Sequence, residues 1–415
     1  MAQSIRQLKS RVGRFDWGHS VEMDDVNSEI AIIGIGETSY TGPSDRAAKA
    51  MALEAVENAI EDAGLKPRDI DGLMVSAGIA EQLCPDDFRA YFGTENDIWF
   101  SREGGAMIWG ATCTHTASLA IRAGLARNIV NVFAVDWASA RKSGRGTPGD
   151  WHANEPMKAG YEVPYGWFPQ PLYFATFAHR HMHEFGTTAE QLAEVPLTFR
   201  RHANTHSGAV MRDKIMTMES YLERPMLTDP FRVEDCCLIS DGAGAFVMCN
   251  AEQAQDRPHV PVIVEGVGRG CIEGSPYISQ QKRVTATPQT FSAPWALAMA
   301  DREVQDIDVL AVYDCFSMTA LMQIEDMGFC DKGQGGEFVQ NDRLYYKRTR
   351  RDGGIPCNTH GGLLSHAYVL GIAHIIELVR QLRGDAQNQV ADARVAAYAG
   401  FTADEAATLI LRRGL

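Results

Sequence analysis

The sequence has no long hydrophobic run, and this absence excludes one class of protein. No stretch approaches the roughly 18 uninterrupted apolar residues that a membrane-spanning helix requires. The opening residues are mixed and charged, without the apolar centre of a signal peptide. We therefore expect residues 1–28 to form an exposed N-terminal arm, and we expect no association with membranes.

Positive charge is also scarce. The chain has 39 Lys and Arg against 53 Asp and Glu, which gives a formal net charge of -14. A nucleic-acid-binding protein needs an excess of basic residues to neutralise phosphates, so that class is excluded. An anionic ligand would have to bind at a local basic patch.

Cysteine pairs with metal-binding spacing are missing. The nine cysteines include no C-x-x-C pair, so we predict no zinc or other metal site. Their number is odd and most of them lie in apolar segments, which favours reduced thiols in a cytoplasmic protein over a disulfide framework.

Two halves of the chain repeat one pattern. A buried strand in residues 31–41 is followed by a helical stretch and by a second strand, DIDGLMV, at 69–75. Residues 260–270 again predict a strand, followed by a helix and by DIDVLAV at 306–312. Strand–helix–strand units repeated in this way indicate parallel sheets covered by helices.

The repeat sets the predicted domain boundaries. We assign a first half to residues 29–252 and a second half to residues 258–415. An insert at about 137–225 interrupts the first half and is rich in Trp, Tyr, Pro, His and Met. Because loops of this length usually carry function, we expect the insert to form substrate-facing surface.

Four stretches carry a resemblance to a known family. They are RRHANTHSGAV (200–210), the segment 225–250, the segment 312–338 with its Y-D-C-F sequence, and the segment 356–384 with N-T-H-G-G. Together they resemble the thiolase superfamily, closest to its sterol-carrier or lipid-transfer branch. The resemblance implies an α/β thiolase fold of two duplicated βαβαβαββ-type halves in a layered αβαβα arrangement. It also implies a coenzyme A thioester as ligand.

The nucleophile of a thiolase is not where the family keeps it. That cysteine stands at the amino end of a helix, where free N–H groups lower its pKa. Counting back from Arg122 places the position at Met107. Cys113 lies six residues further on, inside the predicted helix. It is either a packed core cysteine or, with a shifted alignment, the nucleophile.

Three other family positions are changed as well. The histidine of the H-D-C-F segment is replaced by Tyr313, and the histidine of the G-H-P-x-G block by Tyr368. The late acid–base cysteine falls near Tyr398 or Ala399, so no thiol remains there. The paired tyrosines resemble the thiolase-like aldolases that cleave steroid side chains.

Retro-aldol cleavage of a β-hydroxyacyl-CoA tolerates these losses because it needs no covalent intermediate. It needs a base, an acid and a group that stabilises the enolate. We assign Tyr313 and Tyr368 as acid and base without choosing between them. The resemblance implies that backbone N–H groups near Met107 and Gly400 stabilise the enolate. His360 is expected to face the same pocket, with local hydrogen bonding as its alternative role.

Several neighbouring residues have two alternative roles. Asp314 either orients Tyr313 or caps a helix, and we expect His366 and His374 to be packing or solvent-facing residues. The run from Lys347 to Arg351 is the densest cationic segment and either binds coenzyme A phosphates or forms a solvated loop. The candidate residues for binding the substrate are Arg200, Arg201, Asn358, Lys347, Arg348 and Arg350, with fixing of a loop as the alternative for Asn358.

Three functions remain open at this point. The first is a retro-aldolase that cleaves a CoA-activated β-hydroxyacyl side chain, with a steroid as one candidate for the acyl group. The second is a thiolase or acetyl-CoA acyltransferase with a displaced cysteine nucleophile, and the third is a non-catalytic acyl-CoA-binding or lipid-binding subunit. Coenzyme A enters as part of the substrate, with no other cofactor expected. We expect a homodimer, and the family resemblance adds a small OB-fold, zinc-ribbon partner protein.

Overall fold

The computed structural model describes residues 15–76, 82–104, 106–145, 156–274, 277–401 and 403–415. The first 14 residues of the predicted N-terminal arm, half of its length, lie outside the described ranges. The rest of the arm is not free, because Gly18–Val21 forms a strand. Within these ranges, no helix is long and apolar enough to cross a membrane.

The strands form one mixed sheet. They are β1 (Gly18–Val21), β2 (Ile30–Glu37), β3 (Gly72–Ser76), β4 (Trp99–Glu103), β5 (Asn128–Asp136), β6 (Asp241–Asn250), β7 (Val262–Ile272), β8 (Val309–Val312), β9 (Val395–Phe401) and β10 (Glu405–Arg413). Their order is β4-β3-β5-β6-β2-β7-β10-β9-β8, with β1 paired to β7.

The helices fall between these strands and in the insert. They are α1 (Ala48–Asp62), α2 (Pro85–Phe92), α3 (Ala106–Arg122), α4 (Trp137–Lys142), α5 (Gln170–Phe185), α6 (Ala189–Asn204), α7 (Met218–Leu222), α8 (Gln289–Met299), α9 (Ser317–Asp326), α10 (Gly335–Phe338), α11 (Gly362–Ser365) and α12 (Ile372–Arg383). The insert, expected to be irregular, is therefore largely helical in its described part.

The sheet confirms the duplication that the sequence predicts. The order β3-β5-β6-β2 in the first half is mirrored by β7-β10-β9-β8 in the second. The repeated D-I-D segments run into β3 and β8, which occupy equivalent places. The two halves join at β2 and β7, where Ala31 pairs with Ile263 and Ile32 with Val262. The proposed boundary between 252 and 258 lies between β6 and β7.

The halves differ in their third strand. In the first half β4 pairs in parallel with β3. In the second half the corresponding segment makes one parallel bridge, between Leu310 and Cys357. The sheets are also not purely parallel, because β10 runs antiparallel to both β9 and β7. The short β9–β10 connection explains this, since only antiparallel strands can be joined by a short turn.

Two helices form the central layer. α3 comes from the first half and α12 from the second, and each packs against strands of both halves. Together with β-strand side chains they form a large apolar cluster that includes Ile108, Trp109, Ile372 and Ile376. α1 covers the outer face of the first half, and α8 covers the outer face of the second. This is the layered αβαβα arrangement.

Alternating glycines let the first strand of each half contact a helix through its backbone. A Cβ at Gly36 in β2 would come within 2.2 Å of the Ala55 carbonyl oxygen in α1. In β7, a Cβ at Gly268 would lie 2.0 Å from the Ser292 carbonyl oxygen in α8. A side chain at either place would push the helix away from the sheet.

We predict that Gly268→Ala lowers the free energy of unfolding by about 1–3 kcal/mol, the usual cost of overpacking. The cost is not relieved by a rotamer change, because the obstructing atom is a backbone carbonyl oxygen. Urea unfolding should show a lower midpoint with an unchanged slope. Gly42→Ala is the matched control, since nothing lies within 4 Å of its added Cβ. Equal midpoints for the two variants would contradict the prediction.

Candidate active site

The two predicted tyrosines meet. Tyr313 follows the last residue of β8, and Tyr368 lies between α11 and α12. The Tyr313 hydroxyl donates a hydrogen bond to the Tyr368 hydroxyl at 3.2 Å. Tyr313 is 1% exposed and Tyr368 is 8% exposed. The pair is therefore shielded from bulk water except on the Tyr368 side.

Asn358 fixes the backbone that leads into Tyr313. Its side-chain oxygen accepts from the Val312 N–H at 2.9 Å, and its side-chain nitrogen donates to the Val312 carbonyl at 2.9 Å. The Tyr313 N–H donates to the carbonyl of Ala399 at 2.8 Å. Asn358 is thus engaged inside the protein, which matches its alternative role of fixing the loop.

Asp314 links Tyr313 to the segment that carries Tyr368. Its buried carboxylate accepts the N–H groups of Leu363 at 2.9 Å and Leu364 at 3.2 Å, in the first turn of α11. It also accepts from Nε2 of His374 in α12 at 3.0 Å. The helix-capping interpretation of Asp314 is therefore the one that the structure shows.

The two hydroxyls are not equivalent. Burial raises the pKa of both tyrosines well above the usual value. The hydrogen bond donated by Tyr313 opposes this rise in the pKa of Tyr368 and adds to it in Tyr313 itself. The contact therefore favours the deprotonated form of Tyr368, which is also the tyrosine that reaches the cavity described next.

A cavity of about 1290 Å³ opens beside Tyr368. Much of its wall comes from residues 210–239, which are partly in the predicted insert, and Phe316 and Leu364 complete it near the tyrosine. Its apolar lining residues include Met211, Ile215, Met216, Leu227, Leu238 and Ile239. Its lining cations are Arg141, Arg200, Lys214 and Arg224. Glu223 and Glu234 line it as well, and Glu234 forms an ion pair with Arg224 at 3.0 Å, so the cavity combines an apolar wall with charged groups of both signs.

The side chain of Arg200 lies at the cavity, whereas that of Arg201 lies outside its described lining. Arg200 donates from Nε to the Ser365 hydroxyl at 2.9 Å and lines the cavity. Burial lowers its pKa. Arg201 forms an ion pair with Asp342, and its guanidinium lies over the Tyr345 ring at 4.2 Å. Arg201 does not belong to the described cavity lining.

The cationic run also lies away from the cavity. Lys347 lies over the Tyr346 ring at 5.6 Å, and Arg350 over the Phe329 ring at 5.4 Å. Arg348 donates to a backbone carbonyl at 3.2 Å. None of the three is among the described residues that line the cavity. The density of charge in the sequence gave no information about which face of the fold it occupies.

Met107 and Gly400 are brought together as expected. Met107 is the second residue of α3, and its N–H is one of those that have no acceptor within the helix. A Cβ at Gly400 would lie 2.4 Å from the Met107 carbonyl oxygen. The partial positive charge of a helix amino terminus is therefore located next to β9.

Cys113 is packed in the interior. It lies within α3, donates to the Gly110 carbonyl at 3.5 Å and accepts from the Asn131 side chain at 3.4 Å. Burial raises the pKa of its thiol well above the usual value. Cys236 and Cys237 line the cavity, but burial raises their pKa values as well. These three thiols therefore lack the lowered pKa that activates a nucleophilic cysteine.

His360 lies in a buried histidine cluster. Its ring centroid is 4.8 Å from that of His366 and 4.9 Å from that of His374, and His366 is 4.9 Å from His206. His360 is not among the described lining residues of the cavity, although the sequence placed it in the same pocket. Within the described residues, no group of three His, Cys, Asp or Glu residues could hold a metal ion.

The sequence gave no sign of this cluster. Its members come from the turn after α6, from the residues on either side of α11 and from α12, and no regular spacing connects them; His202, in α6, is a further buried histidine. Burial lowers the pKa of His202 to about 3 and that of His206 to about 4. Burial and neighbouring histidines lower the pKa values of His360 and His366. These rings are therefore neutral near pH 7.

Fold and site together define a thiolase-fold protein with a pair of buried, hydrogen-bonded tyrosines beside a cavity. Residues 270–413 match the family model described as thiolase C-terminal domain-like. The chain is 33% identical to a steroid side-chain-cleaving aldolase of Thermomonospora curvata, over 87% of this chain and 92% of that protein. The chain belongs to the thiolase superfamily, as its motifs predict.

Two further comparisons cover most of the chain. It is 30% identical to a 17-hydroxy-3-oxo-4-pregnene-20-carboxyl-CoA lyase of Mycobacterium tuberculosis, over 88% of this chain and 94% of that protein. A solved structure described as an Ltp2-ChsH2(DUF35) aldolase matches with a TM-score of 0.83 and 31% identity, covering 94% of this chain and 99% of the matched chain.

We predict that the histidine cluster makes the fold labile to acid. A histidine whose pKa is depressed in the fold contributes full stability above its unfolded value of about 6.5 and loses it as pH falls towards the folded value. With His202, His206, His360 and His366 neutral in the fold, stability should fall by up to about 5 kcal/mol per pH unit below pH 6.

Urea unfolding between pH 7.5 and pH 5 measures this slope. His360→Phe keeps a buried ring that cannot titrate, so the loss of stability with falling pH should be about 1.4 kcal/mol per pH unit smaller. His183→Gln is the control, because its side chain is exposed to solvent. A His360→Phe slope equal to that of the unmodified protein would contradict the prediction.

Proposed function

We propose that this chain is a carbon–carbon lyase that cleaves a β-hydroxyacyl-CoA by a retro-aldol reaction without a covalent acyl-enzyme. The observation that carries the proposal is the hydroxyl pair of Tyr313 and Tyr368 at the wall of a cavity. Relatives named as an aldolase and as a CoA lyase support the reaction class.

The two tyrosines account for both proton transfers of the reaction. The Tyr368 phenolate takes the proton of the β-hydroxyl group, and the bond between the α and β carbons breaks. The β carbon becomes a ketone or aldehyde, while the bonding electrons enter the thioester as an enolate. Tyr368, directly or with Tyr313 as relay, returns the proton to the α carbon.

Enolate stabilisation is assigned to backbone groups. N–H groups at the start of α3 near Met107, with those near Gly400, would stabilise negative charge on the thioester oxygen. All steps are assigned to side chains and backbone amides, and coenzyme A takes part only as a portion of the substrate.

The cavity supports a hydrophobic acyl group of steroid type. Its apolar wall next to Tyr368 would hold the acyl group, since burial of apolar surface is favourable. We assign the phosphates of coenzyme A to Arg141 and Lys214, with Arg200 deeper in the same wall, because Arg224 is already paired with Glu234. This replaces the cationic run of residues 347–351 as the candidate phosphate site.

We further propose assembly with other chains. The solved aldolase that this chain resembles is named for two components, which supports a partner protein; we take this partner to be the small OB-fold, zinc-ribbon protein that the family resemblance implies. Ile215 and Val233 at the cavity lining are 84% and 60% exposed, as expected of a surface that another molecule covers. The edge strand β4 supports a homodimer, since its free side can pair with another chain. The location is proposed to be the cytoplasm.

An acyltransferase remains the second candidate, because the chain is also 31% identical to an acetyl-CoA acetyltransferase of Methanothermobacter thermautotrophicus. Aldol cleavage needs no free coenzyme A, whereas thiolysis consumes it. A binding subunit would take up acyl-CoA without any turnover. Release of a shorter acyl-CoA in the absence of free coenzyme A, with the chain alone or with its partner, identifies the lyase.

We predict that Tyr368→Phe lowers kcat by about 10²–10⁴-fold, the usual contribution of a general acid or base. In the unmodified enzyme kcat/KM should rise with pH above 7, because the base acts as a phenolate and burial raises its pKa. The variant should lose this rise. The measurement is product formation from a β-hydroxyacyl-CoA across pH 7–10.

Cys113→Ser provides the matched control for this experiment. It alters a buried residue of the central layer and leaves both tyrosine hydroxyls in place, so cleavage should persist. Full activity of Tyr368→Phe, or complete loss of activity in a folded Cys113→Ser protein, would argue against the proposed function.

We predict that Lys214→Ala raises KM for the acyl-CoA about tenfold at low salt, equivalent to one charge-assisted contact of about 1.4 kcal/mol. The effect should shrink as salt screens the charges. Lys347→Ala removes the same charge from the run outside the cavity and should leave KM unchanged. A larger effect of Lys347→Ala would return the phosphate site to that run.

A further inference from the structure

Tyr398 is a buried phenol with an internal partner. It lies in β9 and is fully buried, and its hydroxyl donates to the carbonyl oxygen of Met107 at 2.6 Å. The proton of the hydroxyl is therefore engaged with the first turn of α3. Burial also raises its pKa well above the usual value. Such a group is unsuited to exchanging protons with a substrate.

The space around Tyr398 exists because three neighbours are glycines. A Cβ at Gly371 would lie 2.0 Å from the Tyr398 hydroxyl oxygen. A Cβ at Gly400 would lie 3.1 Å from the same oxygen and 2.4 Å from the Met107 carbonyl oxygen. Gly110, one turn further along α3, has its Cβ position 3.6 Å from the ring. The ring thus fills the junction between α3, β9 and the start of α12.

This junction connects the pieces of the proposed site. The N–H of Tyr313 donates to Ala399, the residue after Tyr398. Gly371 is three residues after Tyr368 and directly precedes α12. The Tyr398 hydroxyl therefore makes a polar contact that ties the amino end of α3 to the strand next to Tyr313.

We infer that Tyr398 is a positioning residue that holds the amino terminus of α3 in place, so that its free N–H groups remain available to the thioester oxygen. The inference rests on the proposed function, because it assigns the enolate to that helix terminus. Tyr398 acts through Met107 and takes no part in proton transfer. Its loss should lower turnover while substrate binding is kept.

The Tyr398→Phe variant tests the inference because it keeps the ring and removes the hydrogen bond to Met107. The readout is exchange of the α-protons of propionyl-CoA in D2O, which needs the enolate but no carbon–carbon cleavage. We expect the exchange rate at saturation to fall about 10- to 100-fold, as for a misplaced oxyanion site. The Kd for propionyl-CoA should change less than twofold.

Two further variants separate positioning from general stability. Tyr221→Phe removes another buried hydroxyl, which bonds to Asp235 at 2.8 Å, and should lower the unfolding midpoint without changing exchange. Gly371→Ala places a Cβ against the Tyr398 hydroxyl and should reduce exchange as Tyr398→Phe does. In Tyr398→Phe the pH dependence of cleavage should be kept, unlike in Tyr368→Phe.

The outcomes distinguish this inference from the proposed function. Exchange at the unmodified rate in Tyr398→Phe, or a loss explained by weaker binding, overturns the inference and leaves the lyase assignment standing. Exchange by the unmodified protein without cleavage of any β-hydroxyacyl-CoA overturns the lyase assignment and keeps the inference, provided that Tyr398→Phe slows the exchange. Absence of exchange in the unmodified protein overturns both.

Discussion

The buried carboxylate of Asp314 is the contact on which the geometry of the site depends. A buried charge is strongly unfavourable unless it is hydrogen-bonded, and Asp314 accepts from two backbone N–H groups of α11 and from His374 in α12. These donors flank Tyr368, while Asp314 itself directly follows Tyr313. One carboxylate therefore fixes the distance between two hydroxyls that are 55 residues apart in the chain.

The sequence predicted those parts of the fold that depend on local pattern. The D-I-D repeat located β3 and β8, and counting from fixed glycines placed Tyr368 beside Tyr313. Both succeed because strands and the residues at their ends are set by spacing along the chain. The candidate binding residues were predicted less well. Of the six, only Arg200 is among the described residues that line the cavity.

The reason is that the cavity wall is a product of tertiary folding. Residues 210–239 fold back beside Tyr368 and bring Lys214 and Arg224 to the wall. The local sequence around Lys214 and Arg224 does not predict this position. The denser cationic run near Lys347 instead packs its side chains over aromatic rings outside the cavity lining. His360 illustrates the same limit, because its neighbours His366 and His374 become a cluster only when α11 and α12 pack together.

Burial affects a site built on tyrosines differently from one built on a nucleophilic thiol. A nucleophilic thiol must be ionised, so a dry environment works against it, as the raised pKa of Cys113 shows. A phenol is neutral when protonated, so Tyr368 is compatible with burial, and it would act as the base in the fraction of molecules in which it is the phenolate. The helix terminus at Met107 is useful in both chemistries, since both place negative charge on a thioester oxygen. The proposed lyase would therefore need no covalent step, while the helix terminus would still stabilise the enolate.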